Sequence, residues 1–105
     1  SSNSQLNDFI CKPVRDKNEK GCLCFTHFYG STKIGFMVSW RLIGDDQWNY
    51  SQIERTSNII KVKRLSQGTY EVRVIEVESN KQVASDKKIV ELKKIILKFI
   101  NKLLK

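Results

Sequence analysis

The sequence predicts a mainly β protein, a small antiparallel β-sandwich followed by a C-terminal amphipathic α-helix. Two observations support this prediction. Between residues 22 and 84, short runs of alternating apolar and polar residues are separated by turn-forming residues, which is typical of an antiparallel sheet. Residues 86–104 lack Gly and Pro and follow Ser85, a suitable N-cap, which favours a helix. The 105 residues suit one domain, with an N-terminal segment at 1–21, a β-sheet body at 22–84 and the helix at 85–105.

Turn residues bound each predicted strand. Residues 12–21 contain the only Pro and many charges, so we expect a loop there. The clearest alternation runs from Phe36 to Leu42, where every second residue from Phe36 onward faces one side. A slip in the alternation at Ile75 permits a β-bulge there. The predicted strands are 22–29, 33–42, 47–54, 58–65 and 69–77, with a short edge strand at 81–84 and turns at 44–46 and 79–80.

The positive charge is concentrated near the C-terminal end of the sequence. The net charge is +8, and residues 86–105 hold seven lysines against Asp86 and Glu91, a net of +5. Hydrophobic residues make up 40% and charged residues 29%, as in soluble globular domains. There is no uninterrupted run of about 18 apolar residues, so we expect no transmembrane helix. No signal-peptide pattern opens the sequence, and its composition assigns no compartment.

Two stretches carry a resemblance to a known family. They are FMVSW at residues 36–40, in which a Trp ends a strand, and LSQGTYEVRV at 65–74. Over about residues 33–84 the chain thus resembles a fibronectin type III domain, with one residue fewer between Gly68 and Tyr70 than the family has. The resemblance implies that Trp40 and Tyr70 are core residues and that Leu65 closes one end of the sandwich. It also implies a binding or spacing role, and a terminal helix is not part of that fold.

A second architecture is compatible with the same elements. A sheet meander closed by a C-terminal helix would resemble pleckstrin-homology barrels or RWD domains, which are α+β modules. The predicted strands alone do not separate this alternative from the sandwich, and fold alone does not determine function.

Cys11, Cys22 and Cys24 are candidates for one disulfide or for a fully reduced set. Cys22 and Cys24 are two residues apart in a predicted strand, so their thiols point to one face. The spacing of Cys11 and Cys22 resembles the first cysteine pair of cytokine-receptor modules, although Cys24 stands where that pattern has Trp. We expect no zinc site, because a fourth ligand is missing and His27 would face away from Cys24.

The sequence contains no catalytic motif. With one His and no nucleophile elbow, no Ser-His-Asp arrangement can be read. There is no P-loop or dinucleotide-binding glycine motif. Asp45 and Asp46 follow Gly44, and this sequence is typical of a solvated turn. We therefore expect no enzyme, cofactor or small-molecule substrate.

A basic patch is the first candidate contact surface. It comprises Lys61, Lys63, Arg64, Lys94 and Lys98. Arg73 is expected on the strand beside Lys61 and Lys63, and such a stripe could neutralise phosphates. The nearby acids are expected to cancel much of this charge, which favours a solvated sheet face. These acids are Glu54, Glu71, Glu76 and Glu78.

The predicted helix is the second candidate. At about 100° per residue its apolar sector is about 220° wide, whereas docking on a core needs only somewhat more than 100°. The predicted partner-binding residues are Ile89, Leu92, Ile96, Phe99, Ile100 and Leu103. The helix could pack on its own sheet, present a heptad seam to a copy of itself or to another protein, or lie on an anionic membrane. The sequence thus predicts a protein–protein interaction module, with a basic module for membranes or nucleic acids as the alternative.

Overall fold

The computed structural model describes residues 9–15, 20–28 and 34–93, which form strands and no helix. The mainly β prediction is thereby confirmed. The strands of this part of the chain are β1 Phe9–Arg15, β2 Gly21–His27, β3 Gly35–Leu42, β4 Asn49–Tyr50, β5 Ile59–Leu65, β6 Gly68–Glu78 and β7 Lys81–Leu92. It follows that this part contains no helix that could cross a bilayer.

The strands form two antiparallel sheets. One has the order β1-β2-β5 and the other the order β4-β3-β6-β7. The chain leaves the second sheet after β4, adds β5 to the first sheet beside β2, and returns to pair β6 with β3. Since consecutive strands are not neighbours throughout, this arrangement differs from the alternative of a simple meander.

Alternation in each sheet produces one shared core. Leu23 and Phe25 of β2 and Phe36 and Val38 of β3 are fully buried. They belong to a single cluster of buried side chains that includes residues of both sheets. The facing predicted for residues 36–42 is correct, because side chains two residues apart in a strand share a face. Trp40 and Leu42 are partly buried against this core.

Tyr70 fixes the start of β6. It is 3% exposed, and its hydroxyl donates a hydrogen bond to the carbonyl oxygen of Ser66, 2.7 Å away. This bond joins the start of β6 to the connection that precedes it. Leu65 is partly buried against the core.

The turns follow their residue chemistry. Gly44 has φ 103, and the Asp45 amide donates to the Leu42 carbonyl at 3.0 Å, so the predicted turn is present. Ser79 and Asn80 have φ 52 and 66 and join β6 to β7, which is the geometry of a two-residue type I′ hairpin.

A register shift lies near the bulge that the sequence permitted at Ile75, but its extra residue, Val83, is on β7, and β6 pairs with β3 without a shift. The pairing of β6 with β7 shifts between Glu76 and Val77, one residue beyond Ile75. In contrast, the predicted strand 47–54 is reduced to the two residues of β4.

β1 corrects the predicted N-terminal segment and loop, since residues 12–15 are strand. Phe9 is fully buried and Cys11 packs against the core, so this strand adds to the body predicted for 22–84. Pro13 is compatible with β1 because an edge strand has a neighbour on one side only. The single Pro and the charges of residues 12–21 suggested a loop.

β7 corrects the start of the predicted helix. Residues 86–92 belong to a strand that pairs with β6 from Lys81 to Leu92. Pairing with β6 overrides the local helical preference of this segment, because secondary structure in a protein is decided largely by tertiary contacts. Residues 94–105, the remainder of the predicted helix, lie outside the described residues.

Candidate interaction surface

Where the structure describes it, the predicted helical seam does not form one face. Leu92 is 1% exposed and belongs to the core, whereas Ile89 is 62% exposed. They are three residues apart in β7 and therefore face opposite sides of the sheet. The prediction that they share one partner-binding face is wrong. The other seam residues, Ile96, Phe99, Ile100 and Leu103, lie outside the described residues.

The β5 residues of the predicted basic patch are exposed, but the strand beside them is not the one that was predicted. Lys61 and Lys63 are exposed on β5, which pairs with β2 and not with the strand of Arg73. Arg64 has φ 64 and occupies the point where the pairing with β2 shifts by one residue. Lys94 and Lys98 lie outside the described residues.

The acids expected to cancel this charge are engaged elsewhere. Glu71 lies on β6 in the other sheet, 2.8 Å from Arg41 Nη2 and 3.1 Å from Lys87 Nζ. Hydrogen bonds from Arg41 and then Lys87 hold the pKa of Glu71 below its usual value. Glu76 Oε2 lies 3.0 Å from His27 Nε2 between the sheets.

The Glu54 carboxylate is bonded to residues next to it in the chain, and Glu78 lies in the other sheet. The Glu54 carboxylate accepts hydrogen bonds from the Thr56 amide and hydroxyl and from the Ser57 amide, at 3.0 to 3.1 Å. The bonds from Thr56, followed by that from Ser57, lower the pKa of Glu54. Glu78 ends β6 in the other sheet. The prediction of a charge-balanced face around Lys61 and Lys63 is therefore wrong.

The outer side of the three-stranded sheet forms what we call the basic face. It consists of every second residue from Ile10 to Val14, from Cys22 to Thr26 and from Ile59 to Lys63. Three cross-strand rows make it up: Ile10, Thr26 and Ile59; Lys12, Cys24 and Lys61; and Val14, Cys22 and Lys63. None of β1, β2 and β5 contains an Asp or a Glu.

Apolar side chains flank the lysines of the basic face. Ile10 is 39% exposed, Val14 47% and Ile59 45%. Two of these lie in the row at one end of the face and the third lies in the row at the other end. The face thus combines lysines, on three strands that contain no acid, with exposed apolar surface.

A shallow depression of about 340 Å³ lies on the basic face. Its lining residues are Val14, Cys22, Cys24, Lys61 and Lys63. Cys22 is nearly buried and Cys24 is half-buried, and the shared face predicted for their thiols agrees with the strand geometry. Cys11 packs on the opposite, core side of the sheet, where burial raises the pKa of its thiol to about 12. No disulfide joins any of these three cysteines.

The outer side of the other sheet is different. Trp48 lies between two guanidinium groups, 4.7 Å from Arg41 and 4.2 Å from Arg73, measured from each Cζ to the ring centroid. Glu71 neutralises Arg41 and Lys87 beside it. The cations on this side are already paired with the protein's own groups, which leaves the basic face as the better surface for an external anion.

Sequence reasoning missed the basic face because its rows join three separate segments. The available signal was the absence of acids from residues 9–15, 20–28 and 59–65, although that absence identifies a surface only once the pairing of β2 with β5 is known.

Comparison with protein-family models, with curated proteins and with solved structures finds no match to this chain.

Proposed function

We propose that the chain is a fibronectin type III-like sandwich that serves as a non-enzymatic protein–protein interaction module, and that its contact surface is the basic face. The fold assignment is supported by antiparallel sheets of three and four strands around one core. It is further supported by the hydrogen bond from Tyr70 to Ser66, a tyrosine corner of the kind found in such sandwiches.

Two observations favour binding over catalysis. The chain's one histidine, His27, is fully buried and hydrogen-bonded to Glu76, so a substrate has no access to it. General acid–base catalysis requires a side chain within hydrogen-bond reach of the substrate. Among residues 9–15, 20–28 and 34–93, no group of three or more His, Cys, Asp or Glu side chains is placed to hold a metal ion.

The observation that carries the proposal is the acid-free composition of the basic face. Lys12, Lys61 and Lys63 project from a sheet whose strands contain no carboxylate to neutralise them. Unpaired surface charge of one sign attracts and orients a partner of the opposite sign. The partner should therefore present an acidic surface.

The apolar residues of the basic face favour a protein over a nucleic acid. Interfaces between proteins combine apolar contacts with polar ones, and Ile10, Val14 and Ile59 supply the apolar part. Single-stranded nucleic acids are bound on aromatic side chains that stack with bases, and the nine positions of this face include no aromatic residue. We therefore propose an acidic polypeptide with interspersed apolar side chains as the occupant.

The size of the face sets the expected strength of binding. With strands about 4.8 Å apart and a rise of about 3.3 Å per residue, the face measures roughly 15 Å in each direction. An area of roughly 15 Å by 15 Å is well below the roughly 800 Å² that each partner buries in a standard interface. We expect a weak complex, with a dissociation constant in the micromolar range or above, that weakens as salt rises.

The experiment measures binding of fluorescent poly-L-glutamate to the full chain by anisotropy at low and high salt. The variant K61Q/K63Q removes two charges from the basic face. The control variant K81Q/K93Q removes two exposed charges outside that face, one at the first residue of β7 and one at the residue that follows β7. At roughly 0.5–1 kcal/mol per charge in a water-like dielectric, K61Q/K63Q should weaken binding about five- to thirtyfold. K81Q/K93Q should change it less than about threefold, because the net charge alone changes.

Two outcomes would contradict the proposal. Equal weakening by both variants would mean that only the net charge matters. Binding of phosphatidylserine vesicles or a single-stranded oligonucleotide that depends on Lys61 and Lys63, without binding of polyglutamate, would replace the protein partner by a membrane or a nucleic acid.

A further inference from the structure

The depression on the basic face places a thiol between lysines. Cys24 lies directly opposite Lys12 of β1 and Lys61 of β5. Directly opposed side chains in antiparallel strands have Cβ atoms about 4.5–5.5 Å apart. Cys24 is therefore flanked by a lysine on each side, which neither Cys11 nor Cys22 is, since Cys11 is opposite Phe25 and Cys22 is opposite Val14 and Lys63.

This environment differs from that of the other two thiols in access as well as in charge. Cys24 is half-buried and lines the open depression. Cys22 is only 9% exposed, and Cys11 packs against the core. Reactive cysteines occupy electropositive, partly exposed positions, because the thiolate is the nucleophile and nearby cations favour it.

We propose that Cys24 is a covalent modification site that undergoes thiol–disulfide exchange with carboxylate-bearing low-molecular-weight disulfides. Lys12 and Lys61, directly opposite Cys24 on the two neighbouring strands, attract the carboxylates of the reagent. Cys24 loses its proton to solvent, and its thiolate attacks one sulfur of the disulfide. The new sulfur–sulfur bond forms as the reagent's own disulfide breaks, and the departing thiolate takes the electron pair and is protonated by solvent. Cys24 is oxidised and half of the reagent is reduced, so no further oxidant is required.

The adduct should persist, because Cys22 is badly placed to displace it. Residues two apart in an extended strand have Cα atoms about 6.6–6.8 Å apart with their side chains parallel. A disulfide needs Cβ atoms about 3.5–4.5 Å apart. The strand pairing of β2 on both sides resists the backbone movement that a bond from Cys22 to Cys24 would require.

The experiment uses the full reduced chain and two aliphatic disulfides of opposite charge, oxidised glutathione and cystamine. Rates of adduct formation come from intact mass, and the modified cysteine comes from peptide mass spectrometry. The ratio of the glutathione rate to the cystamine rate isolates attraction of the reagent, since a change in the nucleophile affects both rates alike. K12Q/K61Q removes the two flanking lysines, and K81Q/K93Q is the matched control.

We expect the first adduct of the wild type at Cys24, and its loss in C24S. The rate ratio should fall roughly three- to tenfold in K12Q/K61Q, as expected for two charges close to the reacting sulfur in a water-like dielectric. It should change less than twofold in K81Q/K93Q. Modification first at Cys11 or Cys22, or equal changes of the ratio in the two double variants, would overturn the proposal.

Discussion

His27 and Glu76 connect the two sheets through a buried hydrogen bond, and we expect the loss of either partner alone to destabilise the fold strongly. His27 on β2 is 0% exposed and Glu76 on β6 is 8% exposed. The His27 Nε2 and Glu76 Oε2 atoms are 3.0 Å apart. The His27 ring also lies 5.3 Å from the ring of Phe36, so its surroundings include apolar core.

The substitution Glu76→Leu removes the acceptor and leaves the imidazole nitrogen in the core. A hydrogen bond to a charged group contributes about 1.5–3 kcal/mol, and a buried polar group without its partner costs about 1–3 kcal/mol more. We therefore expect a loss of about 3–5 kcal/mol, in the range measured for broken buried pairs. Glu76→Gln keeps an acceptor oxygen and should cost about 1–2 kcal/mol. The double variant H27L/E76L should lie within about 2 kcal/mol of the wild type, because both members of this hydrogen bond are replaced together.

Urea unfolding at neutral pH, followed by tryptophan fluorescence, gives the free energy of unfolding of each variant. The double-mutant cycle needs His27→Leu and Glu76→Leu separately and together. A loss below about 1 kcal/mol for Glu76→Leu, or additive losses in the double variant, would refute the view that this bond couples the sheets.

Three further predictions follow from individual contacts. Leu92→Ala should lower the free energy of unfolding in urea by about 2–4 kcal/mol, because Leu92 is in the core. Ile89→Ala should lower it by less than about 0.5 kcal/mol, because Ile89 is exposed. Similar losses for both variants would support the shared helical face. Tyr70→Phe should cost about 1–1.5 kcal/mol through loss of the bond to Ser66, and an unchanged midpoint would mean that this bond does not stabilise the fold. The pKa of Glu71 is lowered from 4.5 on folding, so its stabilising contribution is present above pH 4.5 and is lost as pH falls through the lower folded value. Glu71→Gln should therefore reduce the acid dependence of unfolding below pH 4.5, and identical acid profiles would contradict this.

The parts of the fold that the sequence predicted correctly are strands whose core residues recur at every second position. In β3, β5 and β6, alternation alone identified the inward residues Phe36, Val62 and Tyr70. Turn residues with a demanding backbone, such as Gly44, also gave their positions correctly, since few residues adopt a positive φ at low cost. Local sequence contains this information because the period of two and the turn chemistry are local properties.

The first and last of the described strands, β1 and β7, could not be predicted in the same way. β7 has helix-forming residues and apolar residues at helical spacing, and only the neighbouring β6 makes it a strand. β1 contains Pro13 and several charges, and only its pairing with β2 shows that Phe9 enters the core. Pairing between strands is a long-range property, and local propensity cannot report it.

Only some features of the candidate surface could be predicted from the sequence. The common face of Cys22 and Cys24, and the outward direction of Lys61 and Lys63, follow from alternation. Their meeting does not, because the expected neighbour of β5 was the strand of Arg73 and its acids. Because the order of the strands was predicted wrongly, a charge-balanced face was expected where the structure has an acid-free one.

The position of β5 also determines when the basic face can appear during folding. β1 with β2 and β6 with β7 are hairpins, which form within microseconds. β5 reaches β2 only after the chain has closed a loop spanning residues 28–58, and such distant pairings make sandwiches slow to fold. Lys61 and Lys63 therefore join Lys12 late, after the entropic cost of that closure has been met. An acidic partner would thus discriminate between the folded domain and a chain in which only the hairpins have formed, since the hairpins alone do not contain the surface that it binds.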